Sequence, residues 1–349
     1  MSAPATQSRA DQSPIDTGEM RLVRVDPRDR AAVTAAVDLQ NACQRLDDPG
    51  EDPWIPELAA RWLEFGWDLD PETRYLCLAK DQTPVAVFDV DLPRRDNRHL
   101  VWGNINVHPD HRRRGYGTAL VTELVRRATE AGRTTIWLGV AEDDLGAREF
   151  LEKNGFRYAS HDARRRQVLA DVDTAVVDEL HAQAAVAAAD YVIKRLEPPI
   201  SDEVLEQLVE VTAAINDAPM GDLTFEDEVF DVERLRDIET AREGRGDRIY
   251  RLAARHKDTG VIGGHTVVAL SPLRPEHAGQ GDTAVHRDHR GHRLGLLLKI
   301  EMMRWLAEVE PQITEITTWN HADNRYMIDV NEAIGYRLSR VFAMYERKL

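Results

Sequence analysis

The sequence predicts an α/β protein of two tandem units, each a mixed β-sheet flanked by helices. A repeated motif is the first observation: VHPDHRRRGYG at residues 107–117 recurs as VHRDHRGHRLG at 285–295, an offset of 178 positions. Both copies follow an apolar, strand-like run and open a helix-like run. A similar offset of 180 positions relates Gly155 to Gly335 near the end of each unit. Nearly constant spacing at separate landmarks indicates one fold that was duplicated with small loop insertions.

Hydrophobic periodicity places the elements in the same order in both units. The first unit has predicted strands at residues 21–25, 74–80, 84–91, 99–107 and 135–140, and predicted helices near 32–46, 55–66, 116–131 and 145–153. The second unit has predicted strands at residues 191–196, 249–255, 261–269, 283–286 and 315–319, and predicted helices near 204–215, 231–243, 294–308 and 324–333.

These elements predict a first domain at residues 21–172 and a second domain at residues 191–349. The stretch between them, residues 173–190, is rich in alanine, the residue with the highest helix propensity, and predicts a linker helix. Residues 1–20 are polar and lack hydrophobic periodicity, which predicts a flexible tail.

Composition narrows the class of protein. The chain has 349 residues and a formal net charge of −16, which argues against a nucleic-acid partner because such proteins present a basic face. No apolar run is long enough to cross a membrane, and the N-terminus does not have the pattern of a signal peptide. Cys43 and Cys77 lie in apolar periodic runs and are predicted to be buried free thiols. We therefore expect a cytoplasmic protein without a membrane partner.

The basic loops stand out against this acidic background and predict a local anionic ligand. Each loop joins a strand to a helix, and a helix N-terminus binds phosphate because its first N–H groups are free and its dipole is positive there. The first loop has the pattern Arg112-x-x-Gly115-x-Gly117. The second keeps Arg290 and Gly295 but carries an arginine at position 293. That arginine has less backbone freedom than glycine, although a second glycine at position 291 could relieve the loop.

A strand followed by Arg-x-x-Gly-x-Gly and a helix, with a later short helix that ends in Gly-Phe, resembles the GNAT superfamily of N-acetyltransferases. The resemblance covers both units, and the second loop is similar to the variant in tandem GNAT proteins, the group that includes mycothiol synthase. It implies acetyl-CoA as a co-substrate, with no metal, and a sheet whose two central parallel strands splay apart to admit the pantetheine arm. It also implies direct attack of a neutral amine on the thioester, helped by a general base and by backbone N–H groups that stabilise the oxyanion.

The resemblance assigns cofactor binding to the loops and to two asparagines beyond the last strand. These residues are Val107, Arg112, Arg114, Gly115, Tyr116, Gly117 and Thr118 in the first unit, and Val285, Arg290, Gly291, His292, Arg293, Leu294, Gly295, Asn320 and Asn324 in the second. For both asparagines, helix capping is an alternative role.

Candidate catalytic residues lie mainly in the second unit. Asp282 is on the strand before the second loop, where GNAT enzymes often carry their base, and the matching residue of the first unit is Asn104. His265 on the neighbouring strand is a second candidate base. An edge carboxylate and a structural histidine are the alternative roles.

The usual acid of the family is missing from both units. GNAT enzymes commonly carry a tyrosine four residues before the glycine of the last helix, and Leu151 and Asn331 occupy those positions. Neither side chain can protonate a thiolate. Tyr326 is the nearest alternative acid, and packing on its helix is its alternative role.

Three functions remain open from sequence alone. The first is acetyl transfer to a small-molecule amine, the second is an acyl-CoA-binding or regulatory protein without catalysis, and the third is acetylation of peptides or proteins. The loops expected to roof the two acceptor sites are acidic, which predicts a cationic or polar acceptor. The acidic residues are Asp47, Asp48, Glu51 and Asp52 in one loop, and Asp217 and Asp222 in the other.

Overall fold

The computed structural model describes residues 20–349 and the backbone of the short strand β1. The predicted tail at residues 1–20 therefore lies almost entirely outside the described residues. The first half contains β1 (Ile15–Asp16), β2 (Arg21–Arg24), α1 (Arg30–Asp47), α2 (Pro56–Phe65), β3 (Thr73–Leu78), β4 (Pro84–Asp91), β5 (Leu100–Val107), α3 (Tyr116–Glu130), β6 (Thr135–Ala141), α4 (Leu145–Lys153) and β7 (Arg157–Val168). Helix α5 (Thr174–Ala187) follows and lies within the stretch predicted to be a linker helix.

The second half repeats this order. It contains β8 (Tyr191–Leu196), α6 (Asp202–Ala213), α7 (Val232–Arg245), β9 (Arg248–His256), β10 (Ile262–Leu270), β11 (His277–Val285), α8 (Leu294–Val309), β12 (Glu315–His321), α9 (Arg325–Ala333) and β13 (Arg337–Lys348). Strand β11 begins six residues before the predicted start at 283, because its glycines and polar residues hide its strand character in the sequence.

All the described strands form one mixed sheet in the order β1-β2-β3-β4-β5-β6-β13-β7-β12-β11-β10-β9-β8. The last strand of each half pairs with the other half: β13 lies against β6, and β7 lies against β12. The two exchanged strands also pair with each other along most of their length. The predicted domain boundaries remain a prediction, and the exchange shows that a cut between the halves would separate paired strands.

Two parallel strand pairs splay apart. Strands β5 and β6 pair only from Leu100 to Gly103, and β11 and β12 pair only from His277 to Gly279. Beyond these points each pair opens toward the end of the sheet that carries the basic loop. The predicted fold class, a mixed and splayed sheet flanked by helices, is thereby confirmed.

Helices cover both faces of the sheet. Helices α1 and α2 pack on one face of the first half and α3 on the other, each with its own apolar cluster. The second half repeats this with α6 and α7 on one face and α8 on the other. Cys43 and Cys77 are buried free thiols, as predicted. Among the described helices, none combines the length and apolar character that a membrane span requires.

Helices α2 and α7 join the two halves on one face of the sheet. A β-carbon on Gly244 would lie 2.4 Å from the Phe65 ring, so only glycine allows this close approach. Arg61 donates to the Arg245 carbonyl at 2.8 Å, and Arg245 in turn donates to the Gly66 carbonyl. Hydrogen bonds from arginine side chains and close packing thus hold the two halves together in addition to the exchanged strands.

Candidate functional site

The two basic loops have the same backbone design. In each loop two residues adopt left-handed conformations: Arg113 (φ 63°) and Gly115 (φ 91°) in the first, Gly291 (φ 86°) and Arg293 (φ 53°) in the second. Positions 113 and 115 correspond to positions 291 and 293, so the two left-handed residues are arginine then glycine in the first loop and glycine then arginine in the second. Each loop therefore contains one strained, left-handed arginine, and in the second loop that arginine is the N-cap of α8.

Each loop presents a row of free donors. Among the described residues, no protein acceptor receives the backbone N–H groups of residues 113–118 or 291–296. The first N–H groups that close the helices belong to Ala119 and Leu297, which donate to the N-cap carbonyls at 3.0 Å. Unpaired donors at the positive end of a helix dipole form an anion-binding site. The predicted loop residues Gly115, Tyr116, Gly117, Thr118, Leu294 and Gly295 lie in these rows.

The first arginine of each motif is engaged within the protein. Arg112 donates to both carboxylate oxygens of Asp47, at 2.8 and 2.5 Å, and its Nε donates to the Val107 carbonyl at 3.0 Å. Arg290 donates to one carboxylate oxygen of Asp217, and its Nε donates to the Val285 carbonyl at 3.2 Å. These guanidinium groups fix each loop against the preceding strand. They also fix it against the last residue of α1 in the first half and against the turn that follows α6 in the second half. The carboxylate partners were not identified from sequence.

The remaining basic side chains of the loops differ between the halves. The sequence offset places His292 opposite Arg114, and the His292 ring lies 5.3 Å from the Tyr191 ring. Arg293 donates to the Gln183 side chain at 2.9 Å. Arg114 is exposed and forms no side-chain hydrogen bond among the described residues. The first loop thus retains a free guanidinium group for an anion.

A β-bulge distinguishes the second splayed gap from the first. Strand β10 pairs with β11 at Thr266 with Thr283 and then at Val268 with Gln280, so two residues of β11, Gly281 and Asp282, lie opposite the single residue Val267 of β10. Strands β4 and β5 pair from Ala86 to Asp91 without a register shift. Bulged residues interrupt the hydrogen-bond ladder, and the pairing of β11 with β12 has ended by this point, so Gly281 and Asp282 lie beside the splayed gap.

Asp282 and His265 share one face of the second half. Both face helices α6 and α7, since His265 pairs with Ala284, which packs in the apolar cluster of those helices, and Asp282 lies two residues earlier on the same strand. Burial raises the pKa of the Asp282 carboxyl above its usual value, and the nearby Arg242 and Arg251 oppose this. A higher pKa makes the carboxylate a stronger base.

His265 is much less suited to proton transfer. The side chain is buried, and neither ring nitrogen has a hydrogen-bond partner among the described residues. Burial, with Arg251 and Arg242 beside it, lowers the pKa of His265 to about 3. The ring is therefore neutral near pH 7 and a weak base, which leaves Asp282 as the better of the two predicted candidates.

The predicted residues of the last helix have different surroundings. The Asn324 side chain accepts the Met327 N–H at 3.2 Å and so caps α9, as Asp144 caps α4 at 2.9 Å. Asn320 accepts a hydrogen bond from the buried Asn331 amide at 2.8 Å. Asn324 therefore has the alternative role of a helix cap. Cofactor binding by Asn320 and Asn324 remains a prediction.

Tyr326 lies at the surface beside the second loop. Its side chain is 62% exposed, and its hydroxyl lies 3.8 Å from where a β-carbon on Gly295 would be. Leu151 and Asn331, at the positions where the family tyrosine was expected, are both buried. The tyrosine hydroxyl thus faces the first turn of α8, and its role as an acid remains a prediction.

Two long loops cross from one half to the other. The first roof loop (residues 48–55) lies against the exchanged strand β7, where Asp48 pairs with Arg164 at 2.9 Å and Glu51 with Arg166 at 2.7 Å. It also reaches β11 of the second half, where an Asp52 oxygen lies 2.7 Å from Nδ1 of His277. These ion pairs neutralise much of the acidic rim on which the prediction of a cationic acceptor depends. Sequence reasoning did not identify the arginines of β7 as the partners of this loop.

The second roof loop (residues 218–231) lies against the first half. The Asp222 N–H donates to the Ala159 carbonyl at 3.0 Å, and the Glu226 N–H donates to the Asn97 side chain at 2.7 Å. Between them, the Phe225 ring stacks on Trp137 at 5.8 Å. Each roof loop thus contacts residues of the opposite half, His277 for the first loop and Trp137 for the second.

Comparisons with known proteins agree with this architecture. Residues 36–156 match the acetyltransferase (GNAT) family model. A tandem GNAT protein from the clavulanic acid biosynthesis pathway, solved without AcCoA, has a similar fold with a TM-score of 0.77 and 25% identity, over 95% of this chain and 98% of that chain. A GCN5-related N-acetyltransferase from Sphaerobacter thermophilus gives a TM-score of 0.67 at 18% identity, over 96% and 97%. A comparison with curated protein sequences finds no match.

Proposed function

We propose that this chain transfers an acetyl group from acetyl-CoA to a small amine, because residues 36–156 match the acetyltransferase (GNAT) family model and the whole fold is similar to that of a tandem GNAT protein. We place the reaction in the second half. The observation that carries this assignment is Asp282, which lies in the bulge beside the second splayed gap at the position where the first half has Asn104 on an unbulged strand.

The loops supply the binding site for acetyl-CoA in this proposal. The free N–H groups of residues 113–118 and 291–296 are suited to the two phosphates of the co-substrate, and the positive helix ends favour the negative charge. The splayed strands then leave room for an extended arm between them. Arg112 and Arg290 support the site indirectly, since their ion pairs hold the loops in shape.

The chemistry follows from the groups at the second gap. A neutral amine attacks the thioester carbonyl, the carbon–nitrogen bond forms and the carbon–sulfur bond breaks, and Asp282 accepts the proton that the amine loses. Backbone N–H groups freed by the bulge stabilise the negative oxygen of the tetrahedral intermediate. The leaving thiolate takes a proton from water or from Tyr326, the exposed hydroxyl nearest the second loop.

The first half fits binding without transfer. Asn104 occupies the position of Asp282, and its amide donates at 3.4 Å to Asp89, which is itself held by Arg74 at 2.7 Å. An amide in this network cannot accept a proton from an amine. The second function considered from sequence, acyl-CoA binding without catalysis, is therefore proposed for this half alone.

Release of free CoA from acetyl-CoA in the presence of primary amines tests the proposal. A thiol-reactive dye should detect multiple turnovers with at least one amine of a panel, and reactions without amine should show only background hydrolysis. Calorimetric titration with acetyl-CoA should run in parallel. Saturable binding without turnover for every amine would overturn the proposed reaction and leave the binding function.

A further inference from the structure

A large aromatic side chain lies exposed on a central strand of the sheet. Trp319 of β12 is 51% exposed, although β12 has neighbours on both sides. Its pairing with β11 ends at Thr317, so Trp319 belongs to the splayed part of the strand. Large exposed apolar surfaces in soluble proteins commonly mark binding sites.

Trp319 faces the same side of the gap as the proposed base. Ile316 packs into the cluster of α8, and side chains alternate along a strand, so Trp319 points to the opposite face. Asp282 is two residues from Ala284, which packs with α6 and α7 on that same face. The tryptophan and the carboxylate therefore border one gap from its two strands.

Phe342 extends this aromatic surface across the exchanged strands. The Phe342 ring of β13 lies 5.0 Å from the Trp319 ring, and Arg164 of β7 lies between the strands with its guanidinium 5.9 Å from the tryptophan ring. Arg164 is held by Asp48 and Glu51 of the first roof loop. The surface thus has an aromatic floor, a roof from the other half and little unbalanced charge.

The first half has no such floor. The position 180 residues before Trp319 is Gly139, where a β-carbon would lie 3.0 Å from the Met344 sulfur. Trp102, exposed to 41%, instead packs on Trp137, which Phe225 of the second roof loop covers. The aromatic floor is thus specific to the half that carries Asp282.

We propose that Trp319, with Phe342, is the acceptor-binding floor and that the amine acceptor carries an aromatic or similarly flat apolar group. This rests on the proposed acetyl transfer in the second half. The flat group stacks on the indole while the amine reaches toward the gap beside Asp282. Trp319 determines which amine binds and takes no part in moving protons.

Two primary amines serve as probes: 2-phenylethylamine, which has a ring, and ethylamine, which lacks one. Wild-type enzyme should use 2-phenylethylamine with a kcat/KM about tenfold or more above that of ethylamine, since stacking adds to the burial of the ring. Trp319→Ala should remove this preference by raising the KM for 2-phenylethylamine, with the KM for acetyl-CoA unchanged. Trp319→Phe should restore part of it, and Trp102→Ala is the matched control that should behave as wild type.

Calorimetric titration of 2-phenylethylamine into the CoA complex gives a second readout that does not need turnover. Binding that is lost in Trp319→Ala and kept in Trp102→Ala supports the floor even if no amine is acetylated, and only the proposed reaction then fails. Turnover of ethylamine and 2-phenylethylamine with equal efficiency, or equal binding by wild type and Trp319→Ala, would overturn the aromatic floor and leave acetyl transfer standing.

Discussion

Lys299 of α8 has its amino group buried in the core of the second half. The side chain is 2% exposed, its ammonium lies 5.1 Å from the Tyr336 ring, and it forms no ion pair among the described residues. Burial lowers the pKa of Lys299 from 10.5 to about 7. A buried cation without a counter-charge is costly, and each unit of pKa shift corresponds to about 1.4 kcal/mol.

Replacing this lysine should stabilise the protein. The folded state binds the proton less tightly than the unfolded state, so the cost is full below pH 7 and fades as the pH rises toward 10.5. Lys299→Met should therefore raise the free energy of unfolding at pH 7 by about 2 kcal/mol or more. Urea unfolding at pH 7 and pH 9 measures this, with the exposed Lys153→Met as control. A gain that does not shrink at pH 9 would contradict the explanation.

The ion pair between Arg112 and Asp47 gives a second prediction at this scale. If the arginine acts by holding the loop, Arg112→Ala and Asp47→Ala should each weaken acetyl-CoA binding several-fold, and the double variant should be little worse than either. Direct contact between Arg112 and a phosphate predicts something different: Asp47→Ala would then leave the affinity unchanged or strengthen it. Titration calorimetry with acetyl-CoA distinguishes the two outcomes.

The two basic loops show how one element is built from different residues. Arg293 holds φ 53° at the N-cap of α8, where the first loop has Gly115. Arg293→Gly should relieve about 1 kcal/mol of backbone strain and raise the melting temperature. Gly115→Ala should lower it by a similar energy, although a β-carbon there meets nothing within 4 Å. Opposite results would show that side-chain contacts outweigh backbone conformation in these loops.

Most elements could be predicted from the sequence, because periodicity and the repeated motif depend on neighbouring residues. The shape of the second loop was foreseen in part, since Gly291 was identified as the residue that could relieve Arg293. The bulge at Gly281 could not be predicted, because it depends on the register with β10. The same holds for Arg164 and Arg166, whose partners in the first roof loop lie more than 100 positions away.

Strand exchange governs the behaviour of the whole molecule. Each half has a single strand after its last helix, and the sequence does not reveal which half that strand joins. Because β13 lies between β6 and β7, neither half has a complete sheet alone. Unfolding by urea should accordingly be one cooperative transition, followed equally by far-ultraviolet circular dichroism and by tryptophan fluorescence. Two separate transitions would show that the halves are stable on their own.

Fragments offer a related test of the exchange. Residues 20–190 produced alone should be poorly soluble, because removal of β13 exposes the edges of β6 and β7. Production together with residues 191–349 should restore a soluble complex. A soluble, monomeric fragment of residues 20–190 with native circular dichroism would contradict the requirement for exchanged strands.

The pH dependence of acetyl transfer in Asp282→Asn tests the central claim most directly. In wild-type enzyme kcat/KM should rise as the pH passes the raised pKa of Asp282, because only the carboxylate accepts the proton from the amine. Asp282→Asn should reduce kcat about a hundredfold and remove that rise, with the affinity for acetyl-CoA unchanged, since general base catalysis contributes 10²–10⁴-fold in typical enzymes. Asn104→Ala in the first half should retain wild-type turnover. Full activity in Asp282→Asn, or loss of activity in Asn104→Ala alone, would contradict transfer in the second half.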